Sequence, residues 1–305
     1  MPPHNARAMD GRGWRNREKG VQRARGLALV VALALSACAS VPSDERLLTQ
    51  QGDGSVLAVA QPCGPERALR PQAVKVGLQP FGSPTLRIVS WNLHKAADDG
   101  WDVDLARFAA DHDLVLLQEA VMSEAVRKVL ERAGHDWQMA GAFAWKGEER
   151  GVMVAARVGV VDSCTLRAFE PLLPLPKSAL VVRFRLSAGV TVAVANLHGI
   201  NFTLGLDRFR EQLEAVAAEL ARHQGPAILA GDFNTWSEAR HEVLADVAAK
   251  LGLVSVLIDE PDARRRTLGR HLDHFFFRGF RLVRASAPVV SSSDHNPILV
   301  ELELR

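Results

Sequence analysis

Six times along this sequence an apolar run ends in carboxylates, amides or imidazoles: Trp91-Asn92-Leu93-His94, Gln118-Glu119, Asn196-Leu197-His198, Gly231-Asp232-Phe233-Asn234, Leu272-Asp273-His274 and Ser293-Asp294-His295-Asn296. Residues two apart on an extended strand point to one face. Asp232 with Asn234, Asn196 with His198, and Asn92 with His94 can therefore each offer two polar groups to one cleft while the residue between them packs behind. If Glu119, Asp232, Asp273 and Asp294 converge, each pair at ~6 Å repels by ~3 kcal/mol at an effective dielectric of ~20, and the cluster demands a cation. Hard oxygen donors without thiolates favour Mg2+ or Mn2+. Such an ion would neutralise a phosphoryl oxygen and the departing group, so metal-assisted phosphoester hydrolysis is the expected chemistry.

The elements that must position these motifs follow from hydrophobic periodicity. Strands are predicted at residues 86–90, 113–117, 152–156, 179–186, 190–195, 226–230, 275–277, 282–285 and 298–304. Helices are predicted at 103–110, at 123–133 with Ser123 as the cap, at 206–223 with Leu206, Phe209, Leu213, Val216, Ala217 and Leu220 on one face, and at 237–251. Several strands follow one another without a helix between them. The pattern predicts an α/β (α+β) domain over 85–305 with two mixed or antiparallel-rich sheets flanked by helices, not a doubly wound parallel sheet. Residues 38–84, rich in Pro, Gly, Gln and Ser, read as a tether and lead-in.

The 305 residues carry a net charge of +2, but the excess sits at the start. Residues 1–37 hold seven of the 37 basic and two of the 35 acidic residues, so the remaining chain is at −3 and exerts no global pull on nucleic acid. The basic stretch is followed by an apolar run from Gly26 to Ala37, too short for the roughly 20 residues of a membrane span and laid out like a signal peptide. Leu35-Ser36-Ala37-Cys38 resembles the bacterial lipobox. That resemblance implies cleavage before Cys38, a lipid anchor on it, and residence in the cell envelope on the outer membrane. An oxidising compartment permits a disulfide between Cys63 and Cys164, and two separate thiols fit as well.

The six motifs in this order resemble the endonuclease/exonuclease/phosphatase superfamily, whose founding fold is that of DNase I. Leu114-Val115-Leu116-Leu117-Gln118-Glu119-Ala120, Lys177-Ser178-Ala179-Leu180-Val181, Asn201-Phe202-Thr203-Leu204-Gly205 and Arg264-Arg265-Arg266 ahead of Leu272-Asp273 resemble its bacterial YafD-like branch. The resemblance implies a four-layer sandwich in which two packed sheets lie between helices. It makes Glu119 the principal ligand of Mg2+ or Mn2+, with Asn92 beside it and Asp294 completing the sphere. Asp232 orients or deprotonates the attacking water, and Asn234 holds Asp232 or a phosphate oxygen. His295 pairs with Asp273 and either stabilises the phosphoryl charge or acts as base. His198 protonates the leaving oxygen. His94 stands where abasic-site endonucleases carry a metal-binding aspartate, which argues against that activity. His274 is expected to pack, and Glu149 either orients His198 or is a solvated acid.

Arg264, Arg265, Arg266 and Arg270 form a basic run that either grips substrate phosphate or is solvated surface. The expected substrate is a phosphoester, in nucleic acid or in a phospholipid headgroup, handled by a monomer held at a membrane through Cys38. A nuclease-like phosphodiesterase leads. A sphingomyelinase-like or inositol-phosphate hydrolase and a catalytically silent envelope lipoprotein stand as alternatives.

Overall fold

Two strand–helix–strand units organise the molecule, and each places its polar motifs at the carboxyl ends of a parallel pair. In the computed structural model, which describes residues 39–51, 53–65, 81, 85–173, 175–186 and 189–305, β4 (Thr85–Asn92) runs through α1 (Trp101–Asp111) into the parallel β5 (Leu114–Val121). The second unit runs from β10 (Thr191–His198) through α3 (Asp207–Ala221) into the parallel β11 (Ala227–Asp232). The other pairings of both sheets are antiparallel. Around the first unit lie β1 (Ala39–Ser40), β2 (Arg46–Gln50), β3 (Val56–Ala60), α2 (Glu124–Arg132), β6 (Asp136–Trp145) and β7 (Glu148–Ala156). Around the second lie β8 (Val160–Phe169), β9 (Pro176–Arg185), α4 (Glu238–Lys250), β12 (Val254–Ser255) and β15 (Asp273–Arg278), with a small hairpin of β13 (Arg266–Thr267) and β14 (Arg270–His271). The chain returns to the first sheet through β16 (Phe280–Ser286) and β17 (Ile298–Leu304).

The first sheet has the order β16-β17-β4-β5-β7-β6-β2-β3, with β1 also on β6, and the second the order β12-β15-β11-β10-β9-β8. Strand alternation divides their side chains between two faces. Leu86, Ile88, Leu114, Leu116, Val152 and Val154 of the first sheet meet Leu180, Val182, Val192, Val194, Ile228 and Phe275 of the second in a central core. The opposite face of the first sheet packs Val89, Trp91, Val115 and Met153 against Leu105 and Phe108 of α1 and Val126 and Leu130 of α2. The opposite face of the second packs Val181, Ala195 and Leu229 against Phe209, Leu213 and Val216 of α3 and Val243, Leu244 and Val247 of α4. The result is the expected helix–sheet–sheet–helix stack. Ser123 and Ser237 cap α2 and α4 by accepting from Val126 N and Arg240 N.

The ordered lead-in takes up residues expected to be shared with a tether: among the described residues β2 completes the first sheet against β6, and β3 forms its edge. Alternation over such short runs was too weak to see. β6, full of small residues around Gly141, was also unread. The Cys63–Cys164 alternative resolves as a disulfide that joins the end of the lead-in to β8. Residues 1–38, with the leader and Cys38, lie outside the described residues. Among the described residues no helix is long and apolar enough to cross a membrane.

The disulfide joins residues 101 apart in the chain. Its reduction is expected to cost about 2–4 kcal/mol by freeing that loop in the unfolded state. Thermal or urea denaturation with and without a phosphine reductant measures this, and coincident curves would show that the link contributes nothing.

Candidate active site

Strand register sets the site. Across β10, β11 and β15, His198 pairs with Asp232, and Asp232 with Asp273, so the three side chains share one rung at the sheet's end. In the other sheet Asn92 pairs with Gln118 on the rung of β4 and β5. The close approach needs Gly231: at φ +144°, a Cβ there would meet the Leu197 carbonyl oxygen at 1.9 Å.

The two rungs are joined by buried amides. Asn196 donates to the carbonyls of Leu117 and Met153, both at 2.9 Å, and accepts from Gln118 Nε2 at 2.7 Å. Nearer the surface Asn92 Nδ2 donates to Asp232 Oδ2 at 3.0 Å. Gln118 therefore faces inward, and its neighbour Glu119 would point to the helices if β5 ran on regularly. Instead the β5–β7 register shifts between Leu117 and Ala120, and Glu119 takes φ 48°. This bulge turns the Glu119 carboxylate into the cleft.

Asp232 is the hub. Its Oδ1 accepts from the Asn234 backbone N–H at 2.9 Å; its Oδ2 lies 3.6 Å from His198 Nε2 and 4.0 Å from His295 Nε2. Burial, and then the Asp273 charge, raise its pKa above the usual carboxylate value. Asn234, at φ 53°, anchors its amide on the Gly199 carbonyl at 2.9 Å, so it shapes the turn that holds Asp232.

The two imidazoles are opposites. Burial would lower His295, but the Asp273 carboxylate, bonded to Nδ1 at 2.8 Å, and Asp232 beyond it hold the ring up at about 9. The two carboxylates thus favour the imidazolium form of His295, which suits the charge-stabilising alternative. His198 is fully desolvated and faces Lys177, and these lower it to about 4. Lys177 Nζ lies 3.1 Å from His198 Nε2. An ammonium donor needs a lone pair there, so the neutral ring carries its proton on Nδ1. Lys177 is thus a basic side chain in direct contact with the ring expected at the leaving-group side.

Glu119 is fully ionised. Burial alone would raise it, yet the charges of His198, Lys177 and Lys95 bring it to about 2. Lys95 is bonded to Oε2, and Lys177 lies 3.9 Å from Oε1. Lys95 was invisible as a site residue because a lysine beside a solvent-facing turn reads as surface. Its only signal was adjacency to the first motif. It reaches Glu119 from a left-handed turn in which His94, Lys95 and Ala96 have φ 48°, 64° and 54°. That turn also breaks the two-residue alternation, so Asn92 points to Asp232 while His94 bonds Asp98 at 2.7 Å.

The Glu119 carboxylate is of the kind a divalent cation takes. The group is deprotonated, offers hard oxygen, and already draws two cations to itself. Asn92 fits less well as a ligand, because its Oδ1 already accepts from the His94 N–H at 3.0 Å. Asp294 is half-exposed, and its ionic partners are His94 at 3.8 Å and Arg265 at 3.7 Å. Asp232, Asp273 and His295 bring ligand-type atoms within 4.8 Å of one another and could also hold a cation, which would have to displace the proton that the two carboxylates favour on the ring.

Other candidates are placed as follows. Arg264 is bonded to Asp262 and, at 3.2 Å, to the Asp273 carbonyl. Arg265 donates to the Asp294 carbonyl at 2.8 Å, and Arg270 pairs with Glu238. These three brace loops; Arg266 is exposed on β13. The cleft itself is lined by Lys95, Glu119, Phe143, Arg150, Lys177 and His198. Glu149 pairs with Arg46 rather than His198. His274 packs against Phe233 and Phe276 and bonds Thr235, as expected for an internal ring.

Residues 89–295 match the Endonuclease/Exonuclease/phosphatase family. The chain belongs to that family. A UPF0294 protein of Vibrio cholerae is 42% identical over 220 residues, covering 72% of this chain and 78% of the relative. A UPF0294 protein of Yersinia enterocolitica is 41% identical over 221 residues, covering 72% and 84%. The catalytic domain of human Nocturnin with bound sulfate shares the fold, with a TM-score of 0.56 at 20% identity over 73% of this chain and 95% of that one. An endonuclease/exonuclease/phosphatase of Beutenbergia cavernae gives 0.56 at 20% identity over 72% of each chain.

Replacing Asn196 by Leu takes its amide donor from two strand carbonyls in a dry interior and leaves Gln118 Nε2 with only the longer bonds to Ser90 Oγ and the Leu116 carbonyl. The expected loss is about 3 kcal/mol or more, read as a fall in the urea midpoint; an unchanged midpoint would remove the cross-sheet amide from the stabilising interactions.

Proposed function

We propose that the protein hydrolyses phosphoesters by attack of water, with Asp232 as the base. The observation that carries this is the pairing of a buried, proton-hungry carboxylate with an imidazolium 4.0 Å away on the same cleft wall. Two groups whose surroundings push their pKa values in useful directions define the base and the positive partner. Asn92 and the Asn234 N–H fix the Asp232 carboxylate, so the water it holds has one direction of attack. His295 offers its Nε2–H to a phosphoryl oxygen, and Asp273 keeps that proton in place. Lys177, held by His198 and Glu119, is the proton donor for the departing oxygen. A divalent cation, Mg2+ or Mn2+, held by Glu119 would neutralise the phosphoryl oxygens when bound.

The purified protein should cleave bis(p-nitrophenyl) phosphate with added Mn2+ or Mg2+ and stop with EDTA. Glu119→Gln and Asp232→Asn should each lose about 100-fold or more. Wild-type rates in either variant would sink the assignment.

The pH profile is a separate test. Because the folded pKa of His295 lies at about 9, above its ordinary 6.5, the stability it contributes is complete below 6.5 and is lost as pH rises through about 9. Activity should fall over the same alkaline interval. Asp273→Asn should move both that limb and the His295 ring resonances in an NMR titration to lower pH. A limb that stays in place would release His295 from its role.

A further inference from the structure

We infer that the mouth of the cleft docks on a lipid bilayer and that the ester cleaved is that of a phospholipid headgroup. This rests on the hydrolase reading above and narrows its substrate.

Two loops beside the site carry large apolar side chains into solvent. Phe169, Leu172 and Leu173 are 54, 55 and 42% exposed, and Phe202 and Leu204 are 52 and 83% exposed. The first loop follows β8, where Ala168 pairs with Lys177 and Phe169 with Pro176, so it stands directly beside Lys177. The second follows His198, the last residue of β10. They are pinned together: Asn201 N donates to Glu170 at 2.9 Å, and Trp236 donates to Asn201 at 3.0 Å. Arg240 grips the Ile200 carbonyl and Thr203 from below. The two tied loops together offer five exposed apolar side chains beside one cleft, more than an isolated surface leucine.

Two observations say what covers this rim. The first is its chemistry. Leu172, Leu173 and Leu204 give no ring on which a base can stack, and a polyanion gains nothing from them. A phospholipid interface presents phosphate beside hydrocarbon. The cleft presents Lys95, Arg150 and Lys177 beside the apolar rim, and Arg167 and Arg208 share a hollow with Phe169. The second is where the chain enters. Arg167 holds the carbonyls of Pro42, Ser43 and Asp44 at 2.7, 3.3 and 3.1 Å, two residues before Phe169. A lipid on Cys38, the residue just before the described segment, would therefore bring a bilayer to the side of the domain that carries the rim.

The test uses the full chain with Cys38→Ser and its disulfide intact, carrying nitrobenzoxadiazole on Leu204→Cys or, as a control on the far edge strand, on Val283→Cys. Vesicles of phosphatidylglycerol and phosphatidylethanolamine should blue-shift the label at 204 and not at 283. The variant Leu172→Asn/Leu173→Asn/Phe202→Asn/Leu204→Asn should lose about tenfold or more in turnover of vesicular phospholipid and none on bis(p-nitrophenyl) phosphate. A silent label at 204 in a protein that still cleaves the soluble ester overturns docking and leaves the hydrolase reading standing. A vesicle-dependent shift without cleavage of any ester keeps docking and overturns the substrate and the hydrolase reading together. A shift that follows protein concentration without vesicles identifies a second copy as the occupant and overturns the proposal, as does faster cleavage of DNA than of phospholipid.

Discussion

The burial of the Asp232 carboxylate constrains everything around it. A carboxylate removed from water is costly unless its oxygens are met by donors or cations. Here they come from three segments far apart in the chain: Asn92 at the end of β4, Asn234 just past β11, and the His295 imidazolium ahead of β17. No single strand–helix–strand unit supplies them. The two sheets must therefore close on each other at this end, and the inner amides of Asn196 and Gln118 fix the separation at which they do. The same desolvation that burdens the fold raises the proton affinity of Asp232, so stability is spent where basicity is gained.

Backbone strain follows the same geography. Among the described residues, non-glycine positive φ values gather at Glu119, at Asn234 and over His94–Ala96, all within this site, with Lys146 and Leu268 the two others, in tight turns. Each left-handed residue costs about 1–2 kcal/mol. The surrounding ladders hold them in place: the β5–β7 bulge aims Glu119, and the Asn234 anchor on Gly199 ties the ends of β10 and β11. A regular strand end would have sent Glu119 to the opposite face from Gln118 and left the cleft without its acid.

These deviations explain which parts of the molecule the sequence reveals. Long apolar runs and capped amphipathic helices identify most strands and the helices of a two-sheet core, while the four layers follow from the family resemblance and the parallel pairs show only in the structure. Two-residue alternation correctly puts Asn196 and His198 on one face of β10, because that strand is regular to its end. It fails for Asn92 and His94, because the left-handed turn intervenes, and a turn built without glycine leaves no mark in the sequence. The strands at 46–60 and β6 lack a clear alternation, and only their partners define them. Lys95 and Lys177 were missed for a different reason: a lysine's default is solvent, and its use depends on a carboxylate brought from 24 residues away for one and from another sheet for the other. Likewise the arginine run, conspicuous by charge alone, is largely consumed by Asp262, Glu238 and loop carbonyls.

Opposite influences act on neighbouring groups across the site. Cationic neighbours bring Glu119 down to about 2, burial and Lys177 lower His198 to about 4, burial and Asp273 raise Asp232, and Asp273 with Asp232 raises His295 to about 9. A second imidazolium at His198 would sit against Lys177, so desolvation and that ammonium together strip its charge. A neutral ring at His295 would leave Asp232 and Asp273 facing each other across one rung of the sheet, so their repulsion is relieved only while the ring keeps its proton. The two histidines thus differ in charge because the register places one beside a lysine and the other between two aspartates. Exchange of their states would uncover two buried acids and crowd two cations, which makes the observed proton distribution a consequence of how β9, β10, β11 and β15 are aligned.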